Sequence, residues 1–66
     1  MDQLNRIKEA LEKENVSQAK LARALDMSPN TISRYCRNEV QPTLNALSKI
    51  AKYLKIDIRE LIAQEG

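Results

Sequence analysis

The sequence lacks several residue types on which enzymes and metal sites often depend. Its 66 residues include no histidine, no tryptophan and no phenylalanine, and only one cysteine. A structural zinc site takes four cysteine or histidine ligands, so such a site is nearly excluded. Without histidine, the usual general base beside a nucleophile is also missing. We therefore predict no catalytic residue, no metal site, no cofactor and no small-molecule ligand.

Long apolar runs and secretion signals are missing as well. No run approaches the roughly 20 apolar residues of a membrane-spanning helix, and the first residues lack the apolar core of a signal peptide. Cys36 cannot form an internal disulfide, and we interpret it as a small buried hydrophobe, with a redox switch as the alternative. We expect a cytoplasmic protein with no membrane partner, folded as a single domain over residues 1–66.

The residues that are present have a helical pattern. Apolar side chains recur at intervals of three and four positions, as in Leu4, Ile7 and Leu11, and this is the period of an α-helix. No strand pattern occurs. The spacing predicts an all-α fold with five short helices, at about residues 3–14, 18–25, 29–37, 44–54 and 58–64.

Four of these helices have recognisable N-caps. Ser17, Ser28 and Asp57 each follow an apolar residue and precede another at the fourth helical position, which gives an N-cap with a hydrophobic staple. Glu60 completes a capping box with Asp57, and Thr43 is a simpler cap.

Glycine, the usual residue at helix C-termini, occurs only as Gly66. Asn15, Asp26 and Asn38 are the candidates for its place, because asparagine and aspartate tolerate a positive φ best among the other residues. The alternative is that they are ordinary polar surface residues.

A proline stands inside the stretch "LDMSPNTISR", which otherwise has a helical pattern. At the first position of a helix the missing N–H of proline would be unpaired anyway, and proline favours the extended backbone of a preceding N-cap. Pro29 therefore marks the start of the third helix, and only Asp26, Met27 and Ser28 separate it from the second.

Positive charge is concentrated around this turn. The net charge is only +2, but residues 17–37 carry four basic residues against one acidic residue, an excess of three. Two short helices joined by a short turn on a basic surface are typical of a DNA-binding helix-turn-helix.

The segment "SQAKLARALDMSPNTISRYCRNEVQPTLNALSKIAKYLKIDIRELI" resembles the lambda-repressor-like, Cro/CI-type (XRE) helix-turn-helix family across essentially the whole chain. Six of the motif's seven apolar or small positions are filled, namely by Leu21, Ala22, Leu25, Met27, Ile32 and Tyr35. The seventh, usually glycine, is Asp26, and Asn38 replaces another frequent glycine. The resemblance implies a lambda-repressor-like fold and a bacterial or phage protein that binds double-stranded DNA near the nucleoid.

The resemblance also implies which residues contact DNA. Those at or beside the base-reading positions are Pro29, Asn30, Ser33 and Arg34. Those expected at the phosphate backbone are Ser17, Gln18, Thr31, Arg37, Asn38 and Thr43. Helix N-termini attract phosphates, which suits Ser17 and Thr43, and Gln18 resembles the family's glutamine that binds a phosphate and braces the third helix.

The chemistry of the third helix agrees with this assignment. Its pattern turns Ile32, Tyr35 and Cys36 inward and the polar residues outward. Arginine can bind guanine, and asparagine adenine, with two hydrogen bonds. The alternatives are that Arg34 and Arg37 are a solvated face and that Asn30 is a local cap. Pro29 either contacts a thymine methyl group or only starts the helix.

We interpret the chain as a sequence-specific transcription regulator, in the role of a repressor, and not as an enzyme. One module makes few base contacts, so we expect a homodimer on half-sites about 34 Å apart. The resemblance gives Tyr53, Ile56, Ile58 and Ile62 as candidates for the dimer interface, with core packing as the competing role. The rival function is a protein-interaction module, such as an antitoxin-like component that acts through a partner chain.

Overall fold

The described part of the protein is built from helices. The computed structural model describes residues 4–63. Over that range the elements are four α-helices and a final 3-10 helix, namely α1 (Ile7–Glu14), α2 (Gln18–Ala24), α3 (Pro29–Cys36), α4 (Leu44–Leu54) and the 3-10 helix Ile58–Leu61. These elements confirm the all-α prediction, with the fifth helix in 3-10 form. No helix within residues 4–63 is long and apolar enough to cross a membrane.

All five elements contribute to one hydrophobic core. Each supplies one fully buried large aliphatic side chain, and these are Ile7, Leu21, Ile32, Ile50 and Leu61. Full burial of such a side chain stabilises the fold by about 1.5–3 kcal/mol relative to exposure. The core therefore depends on every element, including the short 3-10 helix.

The predicted N-caps are confirmed. The caps accept backbone N–H bonds from the first turn of their helices, Ser17 from Lys20 (3.0 Å), Ser28 from Asn30 (3.2 Å), Thr43 from Ala46 (3.1 Å) and Asp57 from Arg59 (2.8 Å). Glu60 accepts the Asp57 N–H at 3.2 Å, which completes the predicted capping box. These bonds satisfy N–H groups that a helix start otherwise leaves unpaired.

Three connections between helices share one layout, which we call the tripeptide connector. A residue with left-handed backbone is followed by an apolar residue and then by the N-cap, as in Asn15–Val16–Ser17, Asp26–Met27–Ser28 and Lys55–Ile56–Asp57. The N–H of the apolar residue bonds to the carbonyl five positions earlier, which is the bond of a Schellman motif; Met27 N–H reaches Ala22 O at 2.8 Å. One apolar residue therefore closes one helix and precedes the cap of the next.

The left-handed residues confirm one prediction and extend it. Asn15, Asp26 and Asn38 end their helices with φ of 58°, 55° and 59°. Lys55 does the same at the end of α4, with φ 59°. The sequence does not indicate Lys55, because lysine lacks the short polar side chain that makes this conformation tolerable.

The outer ends of the first and last helices differ from the prediction. α1 begins at Ile7 and not near residue 3, and the last helix is one 3-10 turn that ends at Leu61, short of residue 64. Residues 3 and 64 themselves lie outside the described residues. Leu4, which the apolar spacing assigns to the stripe of α1, is 57% exposed.

Pairing around one β-bridge, between Asn5 and Ile62, explains both differences. Residues 4–6 run antiparallel to residues 61–63: Arg6 N–H donates to Leu61 O at 2.8 Å, and Ala63 N–H donates to Leu4 O at 3.1 Å. These backbone groups are satisfied across the pair, so neither segment continues its helix.

Candidate nucleic-acid interface

Helices α2 and α3 form a helix–turn–helix unit. α2 ends at Ala24 and α3 begins at Pro29, so four residues join them, one more than the sequence predicts. The chain reverses through the left-handed backbone of Asp26. Leu21 and Ile32, both fully buried, belong to the same core cluster and fix α2 behind α3.

The first turn of α3 has the predicted geometry. Ser28 has the extended backbone of an N-cap, and Pro29 occupies the start of the helix. Pro29 and Asn30 are both exposed. The Asn30 backbone N–H bonds to Ser28 Oγ, whereas its side-chain amide makes no hydrogen bond to the described residues. That amide is therefore available at the surface and is not a local cap.

The predicted inward face of α3 is confirmed, whereas Ser33, which is expected to face outward, is half-buried. The buried side chains are Ile32, Tyr35 and Cys36. Asn30, Arg34 and Arg37 are exposed, and Thr31 and Ser33 are half-buried. At about 1.5 Å per residue, the eight residues of α3 span roughly 12 Å. That length matches the width of the major groove, which is about 12 Å.

Two arginines of the exposed face share one carboxylate, that of Glu39. Arg37 Nε donates to Glu39 Oε2 at 2.6 Å, and Arg37 Nη1 donates to Ser33 Oγ at 3.0 Å. Arg34 Nε lies 3.8 Å from Glu39 Oε1. All three charged side chains are about half exposed, so these pairs contribute little to folding stability. Sequence reasoning missed Glu39.

The residues predicted at the phosphate backbone lie at two helix starts and along α3. Ser17 and Thr43 are exposed, and Gln18 and Thr31 are half-buried. As caps, Ser17 and Thr43 accept a backbone N–H through the hydroxyl oxygen, which leaves the O–H free to donate to a phosphate. Contact of these residues with DNA stays a prediction.

Asn38 uses its side chain inside the protein. Its Oδ1 accepts the N–H groups of Leu4 and Asn5, both at 2.9 Å, and its Nδ2 donates to Asn5 O at 3.2 Å. These bonds fasten the backbone of Leu4 and Asn5 to the end of α3. A phosphate contact by the Asn38 side chain would compete with them.

Asn5 continues this network and is the buried polar residue of the described chain, at 3% exposure. Its Nδ2 donates to Tyr35 O at 3.0 Å and to Gln41 Oε1 at 2.9 Å, and its Oδ1 accepts the Ile7 N–H at 3.1 Å. No local pattern marks Asn5 in the sequence, because Tyr35 and Gln41 lie 30 and 36 positions away.

The four candidates for a dimer interface differ in exposure. Tyr53, Ile56 and Ile58 are half-buried and pack against the core, which is the competing role that the sequence leaves open. Ile62 is 39% exposed and lies opposite Asn5 in the paired segments. Among the four, Ile62 presents the largest exposed fraction to a partner.

Cys36 lies on the buried face of α3 and is 6% exposed. Burial raises the pKa of its thiol, against the opposing influence of Lys8. The thiolate is the reactive form of cysteine, so this burial agrees with the interpretation of Cys36 as a small hydrophobe of the core.

The fold and the exposed face of α3 define a protein of the helix-turn-helix class. The family described as Helix-turn-helix matches residues 7–61, a range that includes all five helical elements. The chain belongs to this family, which confirms the resemblance to lambda-repressor-like regulators of the XRE type.

A solved structure is similar in both sequence and fold. It is described as "Crystal structure of a putative DNA-binding protein from Bacteroides fragilis" and is 45% identical to this chain, with a TM-score of 0.90. The match covers 91% of this chain and 97% of the other. No curated protein gives a significant match.

Proposed function

We propose that the protein is a sequence-specific transcription regulator that inserts α3 into the major groove of double-stranded DNA. The observation that carries this proposal is the exposed face of α3, where Asn30, Arg34 and Arg37 project from a helix backed by α2. Asparagine and arginine are the side chains best suited to adenine and guanine edges. The family and the similar structure support DNA as the ligand. In this role the protein catalyses no reaction.

We assign direct base contact to Pro29, Asn30, Ser33 and Arg34. Phosphate contacts come from Ser17 and Gln18 at the start of α2, Thr43 at the start of α4, and Thr31 and Arg37 on α3. Phosphate contacts fix orientation without reading sequence. Asn38 supports this set by holding the end of α3 in place, because its side-chain amide is bonded to the backbone of Leu4 and Asn5.

We further propose that the protein binds as a homodimer and represses transcription by occupying its site. One helix reads only a few base pairs, and two half-sites about 34 Å apart supply the remaining specificity. The exposed Ile62 is the observation that supports a partner surface, with the half-buried Tyr53, Ile56 and Ile58 as its further candidates. Sedimentation with and without DNA should give a dimer for the parent and a monomer for Ile62→Glu.

Selection from random duplexes, followed by sequencing, tests the central proposal. We expect a two-fold symmetric motif to be enriched, with its half-sites about one helical turn apart. If no motif is enriched even at low salt, the proposal is wrong, and the rival function as a protein-interaction module is favoured. A pull-down with the full chain would then identify the partner class.

A further inference from the structure

The connection after α3 begins with the turn of a tripeptide connector, but it is longer, with Thr43 as the next N-cap, and it has a charged residue in place of the apolar one. In the three connectors, the residue after the left-handed one is apolar: Val16, Met27 or Ile56. After the left-handed Asn38 the residue is Glu39. The backbone is nevertheless the same, because the Glu39 N–H donates to Arg34 O, five positions earlier, at 3.0 Å.

This backbone geometry determines what Glu39 contacts. A Schellman motif brings the side chain of this residue toward the one five positions earlier, where an apolar contact is common. In the three connectors the earlier residue is also apolar, namely Leu11, Ala22 or Ala51. At the end of α3 it is Arg34, so the same geometry brings a carboxylate to a guanidinium.

The carboxylate pairs with both arginines, with one oxygen toward each. Arg34 and Arg37 each face Glu39 through Nε, at 3.8 Å and 2.6 Å. Both terminal nitrogens of Arg34 make no hydrogen bond to the described residues. Glu39 therefore steadies the stem of Arg34 and leaves its terminal nitrogens free for the two acceptors of a guanine edge.

We propose that Glu39 raises the sequence selectivity of the α3 face in two ways. Its carboxylate repels the phosphates of any duplex, and its ion pair with Arg34 Nε keeps that side chain in position to contact a base edge. This inference rests on the proposed DNA-binding function. Arg34, Arg37 and Glu39 together carry a charge of +1, where the two arginines alone would carry +2. The carboxylate repels the phosphates of any duplex that lies against α3. Only a duplex with the matching base opposite Arg34 gains the hydrogen bonds of that side chain in return.

The expected size of the effect follows from counterion release. Each phosphate neutralised changes the logarithm of the binding constant by about 0.9 for each tenfold change in salt. Glu39→Gln frees up to one further cationic group, so affinity for unrelated duplexes should rise up to about eightfold at about 0.1 M salt. Affinity for the selected site should rise less, because Arg34 loses the carboxylate that holds it.

The experiment compares the parent with Glu39→Gln and a matched control, Glu14→Gln. Glu14 is exposed at the end of α1, and its substitution changes the net charge by the same amount. Dissociation constants are measured at several salt concentrations for the selected duplex and for a scrambled duplex. Circular dichroism melting checks that each variant is folded.

For Glu39→Gln we expect the ratio of selected to scrambled affinity to fall, by up to about eightfold. Its salt slope on scrambled DNA should steepen by about 0.9, while Glu14→Gln should leave the ratio unchanged. If Glu39→Gln leaves the affinity ratio unchanged, or if Glu14→Gln lowers it equally, the role of Glu39 is wrong but the proposed DNA-binding function is unaffected. Failure of the parent to bind any duplex would instead overturn the proposed function, and this inference with it.

Discussion

Asn38 holds the backbone of Asn5 from both sides, accepting its N–H at 2.9 Å and donating to its carbonyl at 3.2 Å across 33 positions of sequence. The same asparagine ends α3 with a left-handed backbone. It therefore combines a turn that favours glycine with a side-chain contact that glycine cannot make.

Asn38→Gly should destabilise the protein by about 2–3 kcal/mol. Glycine relieves the left-handed strain, but three hydrogen bonds to residues 4 and 5 are lost, each worth about 1 kcal/mol net. Lys55→Gly is the matched control, because Lys55 has the same φ of 59° and its side chain makes no hydrogen bond to the described residues. Urea denaturation should show Lys55→Gly more stable than the parent by about 0.5–1 kcal/mol. Equal effects of the two variants would contradict the role given to the Asn38 side chain.

Asn5→Ala should cost about 2–3 kcal/mol of unfolding free energy. The substitution leaves the buried Ile7 N–H without its acceptor. It also removes one of the two donors to the Tyr35 carbonyl, which keeps its bond from the Asn38 N–H. A double-mutant cycle with Gln41→Ala isolates the bond between the two side chains, and we expect a coupling of about 0.5–1.5 kcal/mol. A coupling of zero would mean that the Asn5 side chain stabilises the protein only through its bonds to the backbone groups of Ile7 and Tyr35.

Arg34→Ala should weaken binding to the selected duplex by about 1–3 kcal/mol and relax the preference at one base position of each half-site. The control is Arg23→Ala, which removes the same charge from an exposed position on α2. Repeating the random-duplex selection with both variants measures the effect. If Arg34→Ala selects the same motif as the parent, Arg34 does not read a base.

Arg37→Ala should weaken binding to all duplexes to a similar degree. Its predicted partner is a phosphate, so the salt slope should become shallower by about one unit on selected and scrambled DNA alike. Titrations at several salt concentrations measure this slope. A slope equal to that of the parent would count against a phosphate contact.

The sequence predicts those parts of the fold that depend on neighbouring residues. Ser17, Ser28 and Asp57 can be recognised as caps because each cap and its helix lie within a few positions. The same holds for Pro29 at the start of α3 and for the inward turn of Ile32. Such features follow from local backbone chemistry and helical period.

The features that the sequence does not indicate depend on distant residues or on side-chain direction. The early end of the last helix and the late start of α1 follow from pairing between residues 4–6 and 61–63. The structural role of Asn5 becomes evident only in the folded protein, where Tyr35 and Gln41 lie beside it. Glu39 is near Arg34 in sequence, but its contact follows from a backbone turn at Asn38 that is usually associated with an apolar contact.

The tripeptide connectors also determine where the chain can change length. An extra residue in the connector at Met27 would separate the residue that closes α2 from the N-cap of α3, and the altered turn would displace Ile32 from its place beside Leu21 in the core. The longer connection from Glu39 to Thr43 is not under this restriction. We therefore expect natural length variation among related proteins to concentrate between α3 and α4, where it would shift the start of α4 relative to α3 and so alter the spacing of their contacts on DNA.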